Sequence, residues 1–152
     1  SNTKLVIAGD GPDRKKMERH VSAIGIQKRV EFLGFVTEDK KIQLLNESKL
    51  VCSPALFGES FGIVLLEAMA MKVPVIAGDN PGYSSVLKDE GKISLINPRD
   101  TPAFTRLIDT FMNSETVRNM WLKWAAEYVK RFDYPIIVDS YESMYRQALI
   151  SK

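Results

Sequence analysis

Up to about Ile96 the chain alternates short apolar runs with amphipathic stretches of helical period. Residues 4–8 (KLVIA) end at the turn cluster Gly9-Asp10-Gly11-Pro12, which predicts a buried strand. Met17, Val21 and Ile24 then recur at i, i+4 and i+7 among charged residues, the period of a helix that Gly25 ends. Residues 30–33 form a second strand closed by Gly34, residues 37–46 a helix carrying Ile42, Leu44 and Leu45, and residues 50–52 a third strand. A helix over 60–71 is followed by a fourth strand at 73–77, whose Pro74 lies near its start where the absent N–H is tolerated. A turn over 78–82, a short helix at 84–88 and a fifth strand at 93–96 complete the pattern. Strands alternating with helices predict an α/β fold with a doubly wound parallel sheet. From Thr101 the pattern is helical: Phe104, Leu107, Ile108 and Phe111 line one face, and Val117, Met120, Trp121, Trp124 and Tyr128 the next. A break at 132–135 precedes a last helix with Ile137, Tyr141, Tyr145 and Leu149.

The 152 residues suit one soluble domain able to bury about two-thirds of its unfolded surface. A net charge of +2 lacks the basic excess of a nucleic-acid binder, so no nucleic-acid partner is expected. One cysteine, Cys52, excludes an internal disulfide and a multi-cysteine zinc site, and it reads as a buried strand residue. One histidine, His20, on a surface helix, leaves little for His-based catalysis, and no metal site is expected. No apolar stretch reaches the roughly 20 residues of a membrane span. Ser1-Asn2 looks like the scar of a cleaved tag, so the natural chain is expected to begin elsewhere.

In an open parallel sheet, ligands bind beyond the carboxyl ends of the strands. The loop after Cys52 runs through Gly58-Glu59-Ser60-Phe61-Gly62 into the helix Ile63-Val64-Leu65-Leu66-Glu67-Ala68-Met69-Ala70-Met71. Ser60 is the expected N-cap, Gly62 lets a ligand approach the backbone, and the free amides of the first turn form an anion site. Glu67 is surrounded on the helical wheel by apolar residues, which predicts a buried helix whose one carboxylate must be hydrogen-bonded or paired. Aimed at the strand ends, it can accept two sugar hydroxyls, each worth about 1.5–3 kcal/mol. The other reading is a Glu on one wet stripe of that helix. Over eight helical residues Glu59 and Glu67 stand about 10–12 Å apart, the span of a nucleotide-sugar and too wide for a retaining-glycosidase pair. Arg14 stands where a dinucleotide fingerprint has its third glycine, and with Lys15 and Lys16 it reads as a solvated helix face.

The stretch ESFGIVLLEAMAMKVPVIA, from Glu59 to Ala77, resembles the signature of the retaining glycosyltransferases of family 4 (group 1), which have the GT-B fold of two Rossmann-like domains. IAGDGP at residues 7–12 and VEFLGFV at 30–36 match further landmarks of the family in the same order, and the likeness covers residues 4 to about 150. The ESFGIVL wording is most similar to that of phosphatidylinositol mannosyltransferases. The resemblance implies a hexosyltransferase domain that binds a nucleotide-diphosphate sugar, works without a metal or other cofactor, and passes the sugar with retention to an acceptor sugar or lipid-linked glycan. It implies Glu59 as the catalytic residue on the transferred sugar, Glu67 on the ribose, and the Ser60–Val64 turn, through the amides of Phe61, Gly62, Ile63 and Val64, on the distal phosphate and sugar. Gly34, Phe35 and Val36 would lie against the base, and Gly9 and Gly11 would form part of the cleft floor; a tight turn explains those two glycines equally well.

The chain departs from the family in three places. Met71-Lys72 replaces a usual glycine, and Asn80-Pro81-Gly82-Tyr83-Ser84-Ser85 replaces a Gly-Gly and later Glu. The family's first strand of this domain, with an Arg and Lys loop for the diphosphate, has no counterpart. The chain is therefore expected to be the C-terminal half of a cytoplasmic enzyme, inactive alone, with the acceptor domain and any membrane association lying elsewhere. The last helix is expected to resemble the one that crosses back between GT-B domains, exposing Tyr141, Tyr145 or Leu149. The alternative is a non-catalytic nucleotide-sugar-binding or regulatory module on the same fold. A receiver-type signalling domain is rejected because Cys52-Ser53-Pro54, not an Asp, ends the third strand.

Overall fold

The computed structural model describes residues 3–150, and Ser1-Asn2 lies outside them. The chain divides into two compact units, one running to Leu44 and one starting at Leu45. Within the first, β1 (Leu5–Ala8) pairs in parallel with β2 (Val30–Gly34), Leu5 opposite Val30 and Ile7 opposite Phe32, with an irregularity between Ile7 and Ala8. Beyond it the Gly9 amide donates to the Gly34 carbonyl at 2.7 Å. Helix α1 (Arg14–Ala23) and most of α2 (Glu38–Glu47) complete this unit.

Two sequence expectations are corrected in this unit. Leu5 and Val6 are exposed rather than buried, because α1 contributes no buried residue and a two-stranded ribbon encloses little by itself. Arg14 is not a solvated face residue. Its guanidinium meets Glu18 at 2.9 Å and Asp10 at 3.5 Å and donates to the Phe32 carbonyl at 3.2 Å, tying the start of α1 to the end of β2. His20 is exposed, as expected.

In the second unit, β3 (Val51–Ser53), β4 (Val75–Gly78) and β5 (Leu95–Ile96) form a parallel sheet in that order. Val51 stands opposite Val75 and Ala77 opposite Leu95. Every residue of central β4 is buried, which is why it reads as a continuous apolar run. Among the described residues the strands thus hydrogen-bond as a parallel pair and a parallel triplet, an α/β arrangement with all crossovers through helices or turns. Cys52 is exposed, against expectation: it stands opposite buried Ile76, but β3 is the edge strand of this sheet.

Helix α3 (Ile63–Ala70) precedes β4, and α4 (Pro81–Val86) follows it. Asn80 caps α4 by accepting the Tyr83 amide at 3.0 Å, and Pro81 opens it, so this helix starts three residues earlier than the sequence pattern suggested. Helices α5 (Thr101–Asn113) and α6 (Glu115–Tyr128) are capped by Asp100 and Ser114. They send Phe111, Trp121, Ala125 and Tyr128 into a core shared with Leu65, Met69, Ile76 and Val86. Trp121 is fully buried and donates from Nε1 to the Ser94 hydroxyl at 3.1 Å, as its polar handle requires. Helix α7 (Tyr134–Ile150) buries none of its residues and leaves Tyr141, Tyr145 and Leu149 exposed, in line with the sequence expectation.

Candidate functional site at the first turn of helix α3

The sequence reading starts this helix at Ser60; in the structure it starts at Ile63. Gly62 occupies the N-cap with φ +93°, a left-handed conformation open to glycine, and Ser60 caps nothing. The first turn of α3 has no side-chain cap, and Glu59 instead binds the two amides just before it. One Glu59 oxygen accepts the Gly62 amide at 3.0 Å and the Phe61 amide at 3.3 Å. The Leu65 amide turns back to the Gly62 carbonyl at 2.9 Å, and among the described residues the Ile63 and Val64 amides have no acceptor. Four amides were expected to face an anion. Two are already held by an anionic side chain, and the open pair is Ile63 and Val64.

Helix α3 is not apolar and buried all round. Leu65, Ala68 and Met69 face the core, while Ile63 is 66% exposed, Ala70 is exposed and Glu67 is half-buried. These three are spaced i, i+4 and i+7, so they share one stripe that reaches solvent, and Glu67 sits on it one turn beyond the open amides. Glu59 lies on the loop ahead of the helix and folds back onto the Gly62 amide, so its carboxylate stands before the first turn while Glu67 follows within the helix.

The loop of residues 54–62 is pinned by a segment that the sequence reading left as a departure from the family pattern. Asn80 donates from its side-chain amide to the Ala55 carbonyl at 2.9 Å. The Tyr83 hydroxyl lies 2.5 Å from the Ser53 hydroxyl. A Cβ on Gly78 would meet the Ala55 carbonyl oxygen at 2.0 Å, and one on Gly82 would meet that of Glu59 at 2.3 Å, so both positions admit only glycine against this loop. Burial pushes the Tyr83 phenol pKa up, the Ser53 contact lowers it, and the Glu59 carboxylate raises it through charge and hydrogen bonding. The legible signal was Asn80-Pro81, an N-cap followed by proline at N1. Its partners across the loop come from tertiary packing.

On the first unit, Gly9, with φ +114°, and Gly34, with φ +68°, lie on the β1–β2 junction, and the Gly11 amide donates to Asp10 at 2.8 Å. An open cavity of about 340 Å³ is lined by Ala8, Gly9, Gly11, Arg14 and Phe32. Phe35 stands 86% exposed beyond β2, and Val36 is half-buried. On the second unit a cavity of about 390 Å³ is lined by Trp124, Tyr128 and Arg131 among others and includes neither Glu59 nor Glu67. Among the described residues no three His, Cys, Asp or Glu side chains cluster as metal ligands, and no helix is long and apolar enough to cross a membrane.

The chain is 29% identical over 150 residues to phosphatidyl-myo-inositol mannosyltransferase of Mycobacterium leprae, a match covering 99% of this chain and 39% of that protein. Its backbone matches sucrose-phosphate synthase of Thermosynechococcus elongatus with a TM-score of 0.81 at 24% identity, over 98% of this chain and 39% of the other. It matches Anabaena HepE in complex with UDP-glucose with a TM-score of 0.79 at 24% identity, over 98% of this chain and 41% of the other. These likenesses give the fold, that of GT-B glycosyltransferases. The chain spans about two-fifths of the length of these proteins. The model of glycosyl transferases group 1 matches residues 1–128, and with that match over most of its length the chain belongs to the glycosyl transferases group 1 family.

Proposed function

We propose that this chain is the nucleotide-sugar-binding domain of a retaining, metal-independent hexosyltransferase. The carrying observation is the first turn of α3, where two open amides, a carboxylate on the preceding loop and a second carboxylate one turn on stand at one end of a helix whose Glu67 face reaches solvent. The Ile63 and Val64 amides, at the positive end of the helix dipole, suit the distal phosphate of a diphosphate. Glu67 accepts the ribose hydroxyls, and Glu59 accepts hydroxyls of the transferred sugar, releasing or sharing the Phe61 and Gly62 amides as it does so. Within the first unit by itself, the exposed Phe35 ring is a flat apolar face of the kind on which a nucleobase stacks.

In the transfer, the bond between the anomeric carbon and the diphosphate oxygen breaks with its electron pair leaving on the phosphate. Amides aimed at that phosphate stabilise the growing charge without a metal ion. The acceptor hydroxyl oxygen bonds to the same anomeric carbon on the same face, and its proton passes to the departing diphosphate oxygen. That acceptor, a sugar or lipid-linked glycan, is held by a second, acceptor-binding domain of the full enzyme, which works in the cytoplasm or at its membrane face. The UDP-glucose complex of HepE, a protein of the same fold, supports a nucleotide sugar as the ligand class.

Calorimetric titration of the chain with UDP, GDP, UDP-glucose and GDP-mannose tests the reading. Weak binding of at least one nucleotide and no sugar transfer by the chain alone are expected. Absence of binding by all four would sink it, and transfer by the chain alone would overturn the assignment of the acceptor site to another domain.

A further inference from the structure

The turn that carries the Glu59 contacts is backed from two directions. On one side the Tyr83 ring lies so close to Gly62 that a Cβ there would meet it at 2.6 Å. On the other, the Phe61 ring meets that of Phe132 edge to face, 5.8 Å between centroids at 63°. Phe132 closes a 3-10 turn, Val129–Phe132, that follows α6 directly and packs against α3. Its own place is fixed from the core outward. The Phe132 ring lies 5.4 Å from that of Tyr128, buried Tyr128 stacks on Trp124 at 4.7 Å and 23°, and Trp124 meets the fully buried Trp121 at 5.6 Å. A row of rings thus runs from the core of the second unit to Phe61. The loop itself offers little to hold that residue, since residues 54–62 contain no helix or strand and Gly58 faces open space.

Resting on the donor-binding reading of Glu59, we propose that Phe132 is a positioning residue for the Glu59–Gly62 turn, so that a ring beyond residue 128, where the match to the family ends, serves the site. Among the described residues Phe132 is the one ring that Phe61 meets. The Phe61 and Gly62 amides are the two that bind one oxygen of Glu59, at 3.3 Å and 3.0 Å. Fixing the Phe61 side chain therefore fixes where those amides point. The attraction of an edge-to-face pair depends on how the rings are turned as well as on the area they bury, so Phe132 selects one orientation of Phe61 rather than merely covering it. A turn ordered in this way before any ligand arrives lowers the cost of ordering it on binding.

Phe132→Ala removes the ring and Phe132→Tyr keeps it. In the ligand-free chain, solvent exchange measured by NMR at the Phe61 and Gly62 amides should quicken about three- to tenfold in Phe132→Ala, the fold-change expected from losing one edge-to-face pair. It should stay near the wild-type rate in Phe132→Tyr, and the Val75 to Gly78 amides should not change in either. Phe61→Leu removes the same pair from the loop side and should speed the Gly62 amide by a similar factor, which keeps the test decisive if Phe132→Ala fails to fold. Combining Phe61→Leu with Phe132→Ala should add little to either alone. Unchanged exchange at Phe61 and Gly62 in the folded variants, faster exchange spread equally over β4, or fully additive single effects would overturn the proposal. Titration with UDP-glucose and with UDP adds the functional arm: affinity for the sugar-bearing probe should fall about three- to tenfold in Phe132→Ala with affinity for UDP held, and equal losses for both would overturn the link to the Glu59 turn. Failure of the wild type to bind either probe would count against the donor reading alone, since the exchange experiment judges the ring pair without a ligand.

Discussion

Replacing Gly62 by alanine perturbs the candidate site at its narrowest point. The backbone there has φ +93°, which costs a non-glycine residue about 1–2 kcal/mol. The new Cβ would lie 2.6 Å and 2.8 Å from two ring carbons of Tyr83 and 3.3 Å from a Leu65 methyl, with Tyr83 itself buried and unable to retreat, an overpacking of about 1–3 kcal/mol. Alanine recovers about 0.4–1 kcal/mol through the unfolded chain, leaving a net loss of about 1–5 kcal/mol. Gly58 is the control, because it also has positive φ, +84°, but nothing lies within 4 Å of its Cβ position. Urea unfolding followed by fluorescence of buried Trp121 should show Gly58→Ala losing about 1 kcal/mol and Gly62→Ala at least twice as much. In a double-mutant cycle, removing the Tyr83 ring should return the clash but not the backbone cost. A Gly62→Ala midpoint no lower than that of Gly58→Ala would refute the packing argument.

Three further outcomes follow from the same geometry. Glu67→Ala in the full enzyme should weaken nucleotide-sugar binding by at least a hundredfold, two charged hydrogen bonds of about 1.5–3 kcal/mol each, with under about 1 kcal/mol lost in a melt because Glu67 lies on the solvent-reaching stripe; unaltered affinity would remove the ribose role. Lys72→Gly should stabilise the chain by about 0.5–1 kcal/mol, since exposed Lys72 has φ +59° at the end of α3, where the Val73 amide returns to the Ala68 carbonyl; a lower melting temperature would refute this. The Tyr83 phenol has its pKa raised above the ordinary value, so the stability it contributes is full below about pH 10 and is lost as pH rises through the higher folded value. An alkaline unfolding series should therefore fall less steeply in Tyr83→Phe than in the wild type, and equal slopes would exclude the effect.

The departures from the family pattern show how far sequence reading reaches. Met71-Lys72 was visible as a missing glycine, and the structure supplies its meaning: a helix C-terminus that wants a left-handed residue and receives a lysine. Asn80-Pro81 was visible as unusual wording, but its function as a brace depends on Ala55 and Ser53, which are far away in sequence and close only after β3 and β4 pair in register. The paired glutamates were legible as a motif, but where the helix between them begins was not. Counting helical rise from Glu59 assumes that the helix has begun, and Gly62 delays it by three residues.

What the sequence determined by itself is therefore local and periodic: the alternation of strands and helices, the all-helical C-terminal region, the buried Trp121, and the motif that marks the glycosyltransferase family. Periodicity and capping are properties of neighbouring residues, so they survive without a fold. Which amides of the first turn stay open, which face of α3 reaches water, and what holds Glu59 were decided by tertiary structure. The reason is physical. Each of these depends on atoms brought together across a loop, where a missing Cβ at Gly62, Gly78 or Gly82 sets the approach distance and the Tyr83 hydroxyl meets that of Ser53.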